Sequence, residues 1–172
     1  MPTKPKKKVA QREPQVRFYL SEDIRQEVNG KVTAIGLYPD NVVVMHIPDE
    51  LPEPTESVPL FIRSLSFLFS IANLSRAAPI SVEIESNGKR SPFMASKKHP
   101  STGPGGSMNM IGVMQPCPIT SFGVRELIVR VGDSVHSFTF EIRRASLSKI
   151  SDTPKQAVVT KKNRTGTTLA KK

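Results

Sequence analysis

Apolar and polar residues alternate along most of the middle of the chain. Phe18 and Leu20, for example, alternate with Arg17, Tyr19 and Ser21. A period of two residues is typical of a β-strand with one buried face. We therefore predict an all-β domain. The segments predicted as strands are 16–21, 31–38, 41–47, 65–71, 80–85, 108–119, 124–131 and 134–144.

Short turn signals separate several of these segments. Asn29-Gly30 lies between two β-compatible runs, and a second pair, Asn87-Gly88, follows residue 85. Asn-Gly is the strongest signal for a two-residue hairpin turn because both positions accept positive φ. We predict that Asn29-Gly30 fixes the register of the first hairpin, and that Gly132-Asp133 is the turn of the last one.

The last hairpin has the clearest pattern. Leu127, Val129 and Val131 fall on one face of its first strand. We predict that the second strand faces the same core with its own apolar residues, because alternating side chains share a face. These residues are Val135, Phe138, Phe140 and Ile142.

Two segments also fit a helix. Residues 21–28 begin with Ser21, a good N-cap, but offer only about two turns before Gly30, so we prefer a strand. In the second segment, Leu65 to Leu74, periodicity alone leaves both structures open. We favour a buried strand because the serines at 66 and 70 fall opposite the apolar face.

Three segments are predicted to lie outside regular structure or to disturb it. Residues 48–59 contain four prolines and read as an extended connector. Residues 91–107 read as a long flexible loop. Pro116 and Pro118 interrupt the segment 108–119, which we therefore predict to be an edge strand, since a central strand does not tolerate proline.

About eight short strands with turn signals at this spacing indicate a single antiparallel β-sandwich, with a small barrel as the alternative. We predict that this domain spans residues 15–146. The flanking segments 1–14 and 147–172 are rich in lysine and poor in large apolar residues, so we predict that both are disordered tails.

The formal net charge of +10 is concentrated in the two ends of the chain. Residues 1–14 carry a net charge of +4 and residues 149–172 carry +6, whereas residues 15–148 hold 13 basic and 13 acidic side chains. Clustered cations attract polyanions through counterion release. The candidate polyanion-binding residues are Lys4, Lys6, Lys7, Lys8, Lys161, Lys162, Arg164, Lys171 and Lys172.

Side chains that could support catalysis or metal binding are scattered. His46, His99 and His136 lie in different kinds of segment, and nothing in the sequence makes them converge on a metal. Cys117 is the only cysteine and lies between two prolines with no adjacent basic residue to lower its pKa, so we interpret it as an inert thiol. We predict no metal and no cofactor.

Two other sequence patterns give little support for a phosphate-binding or catalytic site. The glycines of 103–107 lack the Lys-Ser/Thr ending and the following helix of a phosphate-binding loop. Glu83 and Glu85 share one strand face about 7 Å apart, which suits acid–base chemistry but is equally typical of the exposed face of a sheet. We therefore predict no catalytic residue.

The stretch Phe18–Tyr38, with Glu22-Asp23, Arg25, Gly30-Lys31 and Gly36-Leu37-Tyr38 at its recurring positions, resembles the start of an uncharacterised family of small bacterial or phage-associated proteins. The resemblance covers about residues 16–143 and omits both tails. It implies a bacterial or bacteriophage origin and a compact β-sandwich. It implies no activity, because none is assigned to that family.

The sequence favours a non-enzymatic binding or structural module that acts through a protein partner, with 48–59 and 91–107 as docking loops. The alternative is a nucleic-acid-associated accessory protein that binds polyanions non-specifically through its tails. The longest apolar run, Leu65 to Leu74, is about half of a membrane span, so we predict no membrane segment and a cytoplasmic location.

Overall fold

The computed structural model describes residues 12–28, 31–74, 78–96 and 106–147. Within these ranges the chain is all-β, as predicted, and forms eleven strands. In chain order they are β1 (Gln15–Gln26), β2 (Val32–Leu37), β3 (Val42–Ile47), β4 (Leu60–Ile62), β5 (Leu65–Leu74), β6 (Ile80–Ser86), β7 (Lys89–Ser96), β8 (Gly106–Met114), β9 (Cys117–Ile119), β10 (Gly123–Val131) and β11 (Ser134–Ser146). In these ranges, no helix is long and apolar enough to cross a membrane.

The strands form three sheets. Sheet A has four strands in the order β2-β1-β5-β8, and sheet B has five in the order β3-β11-β10-β6-β7. β4 and β9 make a separate two-stranded sheet. The prediction of about eight antiparallel strands in a single sandwich was therefore wrong in the number of strands and in the number of sheets. β3 pairs with β11 in the parallel direction, at the edge of sheet B.

Sheets A and B pack face to face in a sandwich-like arrangement. Phe67 of sheet A meets Phe140 of sheet B edge-on, with ring centroids 5.6 Å apart. Phe18 contacts Phe138 across the same interface at 5.7 Å. Such aromatic pairs add to the free energy of burying their surfaces. The core therefore lies between the inward faces of the two sheets.

The inward faces follow the predicted alternation. In β5, residues 65, 67, 69 and 71 are all fully buried, so this segment is a strand and its helical interpretation was wrong. Ile80 and Val82 of β6 and the predicted residues of β10 are buried as well. The helical alternative for 21–28 is also excluded, because β1 continues to Gln26.

One apolar position of the last strand was predicted wrongly. Val135 is 56% exposed, whereas Phe140 and Ile142 are buried. Val135 is an odd-numbered residue of β11, and the inward face of this strand carries the even-numbered ones. His136 occupies the inward position instead. The strand period therefore overrides the hydrophobicity of a single residue.

The three turns differ in how well the prediction describes them. Ser86 pairs with Lys89, and both Asn87 and Gly88 have positive φ, as predicted for a two-residue Asn-Gly turn. Val131 pairs with Ser134 around Gly132-Asp133, which confirms the last hairpin.

Asn29-Gly30 itself lies outside the described residues, but the strands that flank it are antiparallel partners. Gln26 pairs with Val32, and the Glu27 N–H donates to the Lys31 carbonyl at 2.8 Å. A two-residue turn at Asn29-Gly30 would instead pair residue 28 with residue 31. The register is therefore not the one that we predicted.

The segment 91–107 is not simply a loop. Residues 91–96 belong to β7 and 106–107 begin β8, while 97–105 lie outside the described residues. β7 forms because Phe93 packs edge-on against Phe67, at a centroid distance of 4.9 Å. Pro92 is tolerated because β7 is an edge strand and its register shifts at this point.

Gly112 of β8 allows this packing. A Cβ atom at Gly112 would lie 2.6 Å from Met94 Sδ and 2.7 Å from Phe93 Cζ. The absence of a side chain therefore lets the edges of the two sheets approach each other at β7 and β8. This approach fixes the position of Phe93, which also lines the pocket described below.

The segment 108–119 divides into two strands. β8 is an edge strand of sheet A, as predicted, but it ends at Met114, before Pro116. Residues 117–119 form β9 and pair with β4 instead. The prolines thus end one strand and begin another in a different sheet.

The connector 48–59 contains no helix or strand but has a turn at 49–50 and bends at 51 and 56–58, and Arg144 of β11 holds its first part in place. The guanidinium donates through Nη2 to the carbonyls of Pro48, Asp49 and Leu51, and through Nη1 to the carboxylate of Glu53. The Ser146 hydroxyl adds a bond to the Asp49 carboxylate at 2.7 Å. The connector is thereby tied to the end of sheet B.

Most of the predicted tails, residues 1–11 and 148–172, lie outside the described residues. Of the remainder, Glu13 accepts a hydrogen bond at its carbonyl from the Asn73 side chain, at 3.2 Å. All nine candidate polyanion-binding residues fall outside the described residues.

Candidate anion-binding pocket

The residues weighed for catalysis in the sequence do not form a common site. His99 lies outside the described residues. His46 is exposed on β3 opposite Ala145, far along β11 from His136. At about 3.3 Å per strand residue, the two histidines are on the order of 30 Å apart. Among the described residues, no three His, Cys, Asp or Glu side chains are grouped to bind a metal.

The carboxylates of Glu83 and Glu85 point away from the core on β6, and each has an arginine partner. Glu83 lies 3.9 Å from Arg130, and Glu85 accepts a hydrogen bond from Arg90 at 2.5 Å. They belong to a charged outer face of sheet B. Neither carboxylate lines the two cavities described below, and each is paired with an arginine rather than with the other glutamate.

A cavity of about 400 Å³ opens at the end of the sandwich where β6 turns into β7. The cavity lies against β9 and the beginning of β10. Its volume falls within the range typical of small-ligand sites. Cys117, which the sequence singled out, is one of its lining residues.

Arg125 of β10 also lines this cavity and is only 8% exposed. Its Nη2 donates to the Ser121 carbonyl at 3.0 Å, and its Nε donates to the Ser86 hydroxyl at 3.3 Å. The guanidinium carbon lies 5.9 Å from the centre of the Phe140 ring. Within the described part of the chain, no carboxylate lies within 4 Å of this guanidinium.

Burial changes the acidity of both ionisable groups at the base of the cavity. Loss of hydration lowers the pKa of Arg125, and the nearby Cys117 partly opposes this effect. An arginine nevertheless stays cationic at neutral pH. Burial raises the pKa of the Cys117 thiol, and Arg125 lowers it by a smaller amount. Cys117 is therefore a neutral thiol, bonded to Met114 Sδ at 3.7 Å, and not an activated nucleophile.

The strand period could have revealed Arg125 in the sequence. Leu127, Val129 and Val131 were assigned to one face of β10, and Arg125 continues that face by two residues. Ser86 likewise continues the inward face of β6 beyond Ile84. A charged residue at an inward strand position is rare unless it is paired, so the pattern itself was the signal.

The walls of the cavity are mainly apolar. Phe140 lies beside the guanidinium, and Phe93 reaches in from β7. The other apolar lining side chains are Leu65, Ile84, Pro92, Met114 and Pro118. The site is therefore a mainly apolar cavity with a buried guanidinium in its lining, to which Ser86, Asn87, Ser91 and Thr120 add polar groups.

Two exposed residues that line the cavity carry opposite charges. Lys89, at the start of β7, lies 3.9 Å from Glu56 of the connector, and the two side chains are 76% and 84% exposed. Glu56 is in a tight turn, in which Thr55 and Val58 exchange hydrogen bonds of 3.1 Å. An ion pair this exposed is weak, so it can open at little cost.

A second cavity, of about 670 Å³, lies between β1, the end of β4 and the residues that directly follow β2, β4 and β8. Its lining includes Asp23, Arg25, Tyr38 and Arg63. Arg25 and Asp23 already form an ion pair at 2.6 Å, and both are substantially exposed. This cavity lacks a buried charge that needs a partner, so it is the weaker candidate for a binding site.

A buried guanidinium without a carboxylate has lost hydration that the neighbouring neutral oxygens only partly replace. An incoming anion would supply the missing interaction, and the planar fork of N–H groups suits the two oxygens of an oxyanion. The arrangement can therefore bind an anionic group. No protein-family model matches the chain, and no characterised protein matches its sequence significantly, so the family resemblance of residues 18–38 stays a prediction.

Proposed function

We propose that the protein is a non-enzymatic binding module that acts through a protein partner and holds an anionic group of that partner at Arg125. One observation carries this proposal. A guanidinium that is only 8% exposed lines an open cavity and has no carboxylate partner among the residues that the structure describes. A charge this deeply buried normally has a counterion.

The apolar residues on the outer face of sheet A support the proposal that the partner is a protein. Residues opposite one another in neighbouring strands point to the same side, and Leu37, Ser21, Ser66 and Val113 form such a row across all four strands. Leu37 and Val113, at the two ends of the row, are 55% and 50% exposed, whereas Ser21 and Ser66 between them are fully buried. Two neighbours on this face, Tyr19 and Ile35, are 40% and 46% exposed. Exposed apolar groups on one face are typical of protein interaction surfaces.

The absence of catalysis is part of the proposal, and the chemistry of the described residues supports it. The Cys117 thiol is held neutral by burial. The glutamates of β6 are paired with arginines on an outer face. A cytoplasmic location also belongs to the proposal, because a chain with a single, buried cysteine has no intramolecular disulfide that would need an oxidising compartment.

The anion site is tested by thermal unfolding of the full chain in acetate and in neutral acetamide at constant ionic strength. Acetate at about ten times its Kd should raise the Tm by about 3 °C, and acetamide should have no effect. Arg125→Gln should remove the acetate response. Arg130→Gln, on the outer face of the same strand, should keep it. An identical response of Arg125→Gln and the wild type would overturn the proposal.

The partner is tested by capture from a cell extract, compared among variants. A protein retained by the wild type and by Arg130→Gln, but lost with both Leu37→Arg and Arg125→Gln, would have the properties that we propose. A set of captured proteins that is the same for all four chains would contradict it.

The segregation of charge favours a second candidate, a nucleic-acid-associated accessory protein. Residues 15–148 have no net charge, and the excess lies entirely in the ends. Binding of duplex and single-stranded DNA should be measured over a salt series with the full chain and with residues 15–148. A steep salt slope that only the full chain shows would put this function first. Equal and weak binding by both would exclude it.

A further inference from the structure

We propose that the anionic group held at Arg125 is a single carboxylate attached to an apolar body, and not a phosphate. This inference rests on the proposed function, because it names the chemical class of the anion that the pocket receives. Three features of the cavity support it, namely its charge, its walls and its hydrogen-bond donors.

The charge of the cavity matches one negative charge. Its ionised lining side chains are Arg125, Lys89 and Glu56, which sum to a single positive charge. The Cys117 thiol contributes none while it is protonated. A dianionic phosphate would leave one charge unbalanced in a partly buried site, and this costs free energy. A carboxylate is neutralised completely.

The walls of the cavity require an apolar body. Leu65 and Phe140 of the cavity lining are almost completely buried, but Ile84, Phe93 and Met114 are partly exposed and offer apolar surface to a ligand. A small hydrated anion such as acetate would cover Arg125 and leave these surfaces in contact with water. Each buried methylene group contributes about 0.8 kcal/mol, so a longer apolar chain should bind more tightly.

The donors that Arg125 has left over suit the two oxygens of a carboxylate, while Lys89, Ser91 and Thr120 are further possible donors in the lining. Nε and Nη2 of Arg125 already bond to Ser86 and Ser121, and Nη1 makes no hydrogen bond to the described residues. Three of the five N–H groups remain, two on Nη1 and one on Nη2, and a pair from Nη1 and Nη2 can face the two oxygens of a carboxylate. Phosphate sites usually add a helix N-terminus or a loop of converging N–H groups, and the lining strands present neither.

Such a carboxylate has two sources on a protein partner, the chain terminus and an Asp or Glu side chain beside an apolar residue. Both present the same chemistry to Arg125. The exposed Lys89–Glu56 pair lies beside the route by which either would enter. Peptide probes of matched size distinguish the two sources.

Isothermal titration calorimetry of the full chain tests the inference with acetate, hexanoate, hexanamide and hexyl phosphate at constant ionic strength. Hexanoate should bind at least tenfold more tightly than acetate and than hexyl phosphate, and hexanamide should not bind measurably. Arg125→Gln should weaken hexanoate binding by about 10- to 100-fold, the range expected for a charge-assisted hydrogen bond. Arg130→Gln should leave it unchanged.

Lys89→Glu provides a second variant, because this exposed residue can be replaced without disturbing the core. It should weaken hexanoate binding by about threefold or more, since it reverses one charge of the cavity. Among the peptides, acetyl-Gly-Leu and acetyl-Asp-Leu-amide carry the terminal and the side-chain carboxylate, and acetyl-Gly-Leu-amide carries none. Tighter binding of either acid than of the neutral peptide supports the inference and identifies the source.

The outcomes separate this inference from the function on which it rests. Equal affinities for acetate and hexanoate, or tighter binding of hexyl phosphate, would overturn the apolar carboxylate but keep an anion site at Arg125. Equal binding of the three peptides would also overturn it. If no anion binds the wild type more tightly than Arg125→Gln, both proposals are wrong.

Discussion

Arg125 and Arg144 lie on neighbouring strands of sheet B, but their surroundings are opposite. Arg144 donates to three backbone carbonyls and to the Glu53 carboxylate, and its side chain is 23% exposed. Arg125 is buried more deeply, bonds to two neutral oxygens and lines a cavity. A guanidinium whose donors are satisfied locally has a structural role. One that is buried with donors left over is suited to binding.

The contrast also shows how the two regions depend on each other. Arg144 ties down the beginning of the connector, and the same connector carries Glu56 to the cavity that Arg125 lines. The structural arginine thus helps to shape the site of the binding arginine. Replacing each by the same apolar residue, Met, is the most direct way to separate their roles.

The largest effect is expected from Arg144→Met. This change leaves three carbonyls and a carboxylate without their donor, so we expect the free energy of unfolding to fall by about 3 kcal/mol. Urea denaturation measures the change. Glu53→Gln, which alters only the exposed partner, is the control and should cost about 0.5 kcal/mol. A loss in Arg144→Met no greater than in this control would show that the clamp contributes little.

Gly112→Ala should have the next largest effect, and it tests the shape of the pocket without touching either arginine. The new Cβ would lie 2.7 Å from Phe93 Cζ, so Phe93 must move. We expect the free energy of unfolding to fall by about 1–2 kcal/mol and the acetate-induced Tm shift to change in size. Gly88→Ala is a useful contrast, because no atom lies within 4 Å of its Cβ position. Its effect should come from backbone strain and leave the pocket intact.

Arg125→Met should change stability much less than Arg144→Met. Replacing a buried charge that lacks a counterion by an apolar side chain of similar volume is often neutral or stabilising. We expect a change within about 1 kcal/mol by urea denaturation, together with loss of acetate binding. A loss of 3 kcal/mol or more would mean that Arg125 is a structural residue like Arg144, and the comparison would fail.

The smallest effect concerns the Cys117 thiol. Burial raises its pKa in the folded protein, so its contribution to stability is complete below the pKa of the unfolded chain and is lost as the pH rises through the folded pKa. Alkylation by iodoacetamide should therefore be slower in the folded than in the unfolded chain at pH 8. Because Arg125 lowers this pKa, Arg125→Gln should slow the reaction further at the same stability. Faster alkylation in that variant would contradict the electrostatic effect of Arg125 on the Cys117 thiol.

The alternation of apolar and polar residues predicted the inward face of a strand correctly where it continued without interruption. β5, β6 and β10 are examples, since their inward faces are those that the sequence indicated. The alternation did not predict β7. Its sequence contains Pro92 and small polar residues, and the strand is held by the contact of Phe93 with Phe67 across the core. A contact between residues so distant in the chain leaves no local pattern.

The candidate site was only partly within reach of the sequence. Arg125 stands out once β10 is assigned, because it continues an otherwise apolar face. The cavity itself was not predictable from the sequence. It requires that β9 does not continue β8 in sheet A but pairs with β4. The connector contains no helix or strand, as predicted, but it turns at 49–50 and bends at 56–58 rather than running extended. Its attachment to Arg144 joins residues from opposite halves of the chain.

The parallel pairing of β3 with β11 has a consequence for how the protein folds. The backbone of Val42 can pair in sheet B only when Glu141, its partner on β11, is present. The sheet is therefore completed only after nearly all of the domain has been synthesised. Contacts between such distant segments slow folding, and domains dominated by them fold in about milliseconds to seconds. Until then β3, with three consecutive valines, is an unprotected strand. We therefore expect aggregation during refolding to decrease when Val44, which is 45% exposed in the folded state, is replaced by lysine.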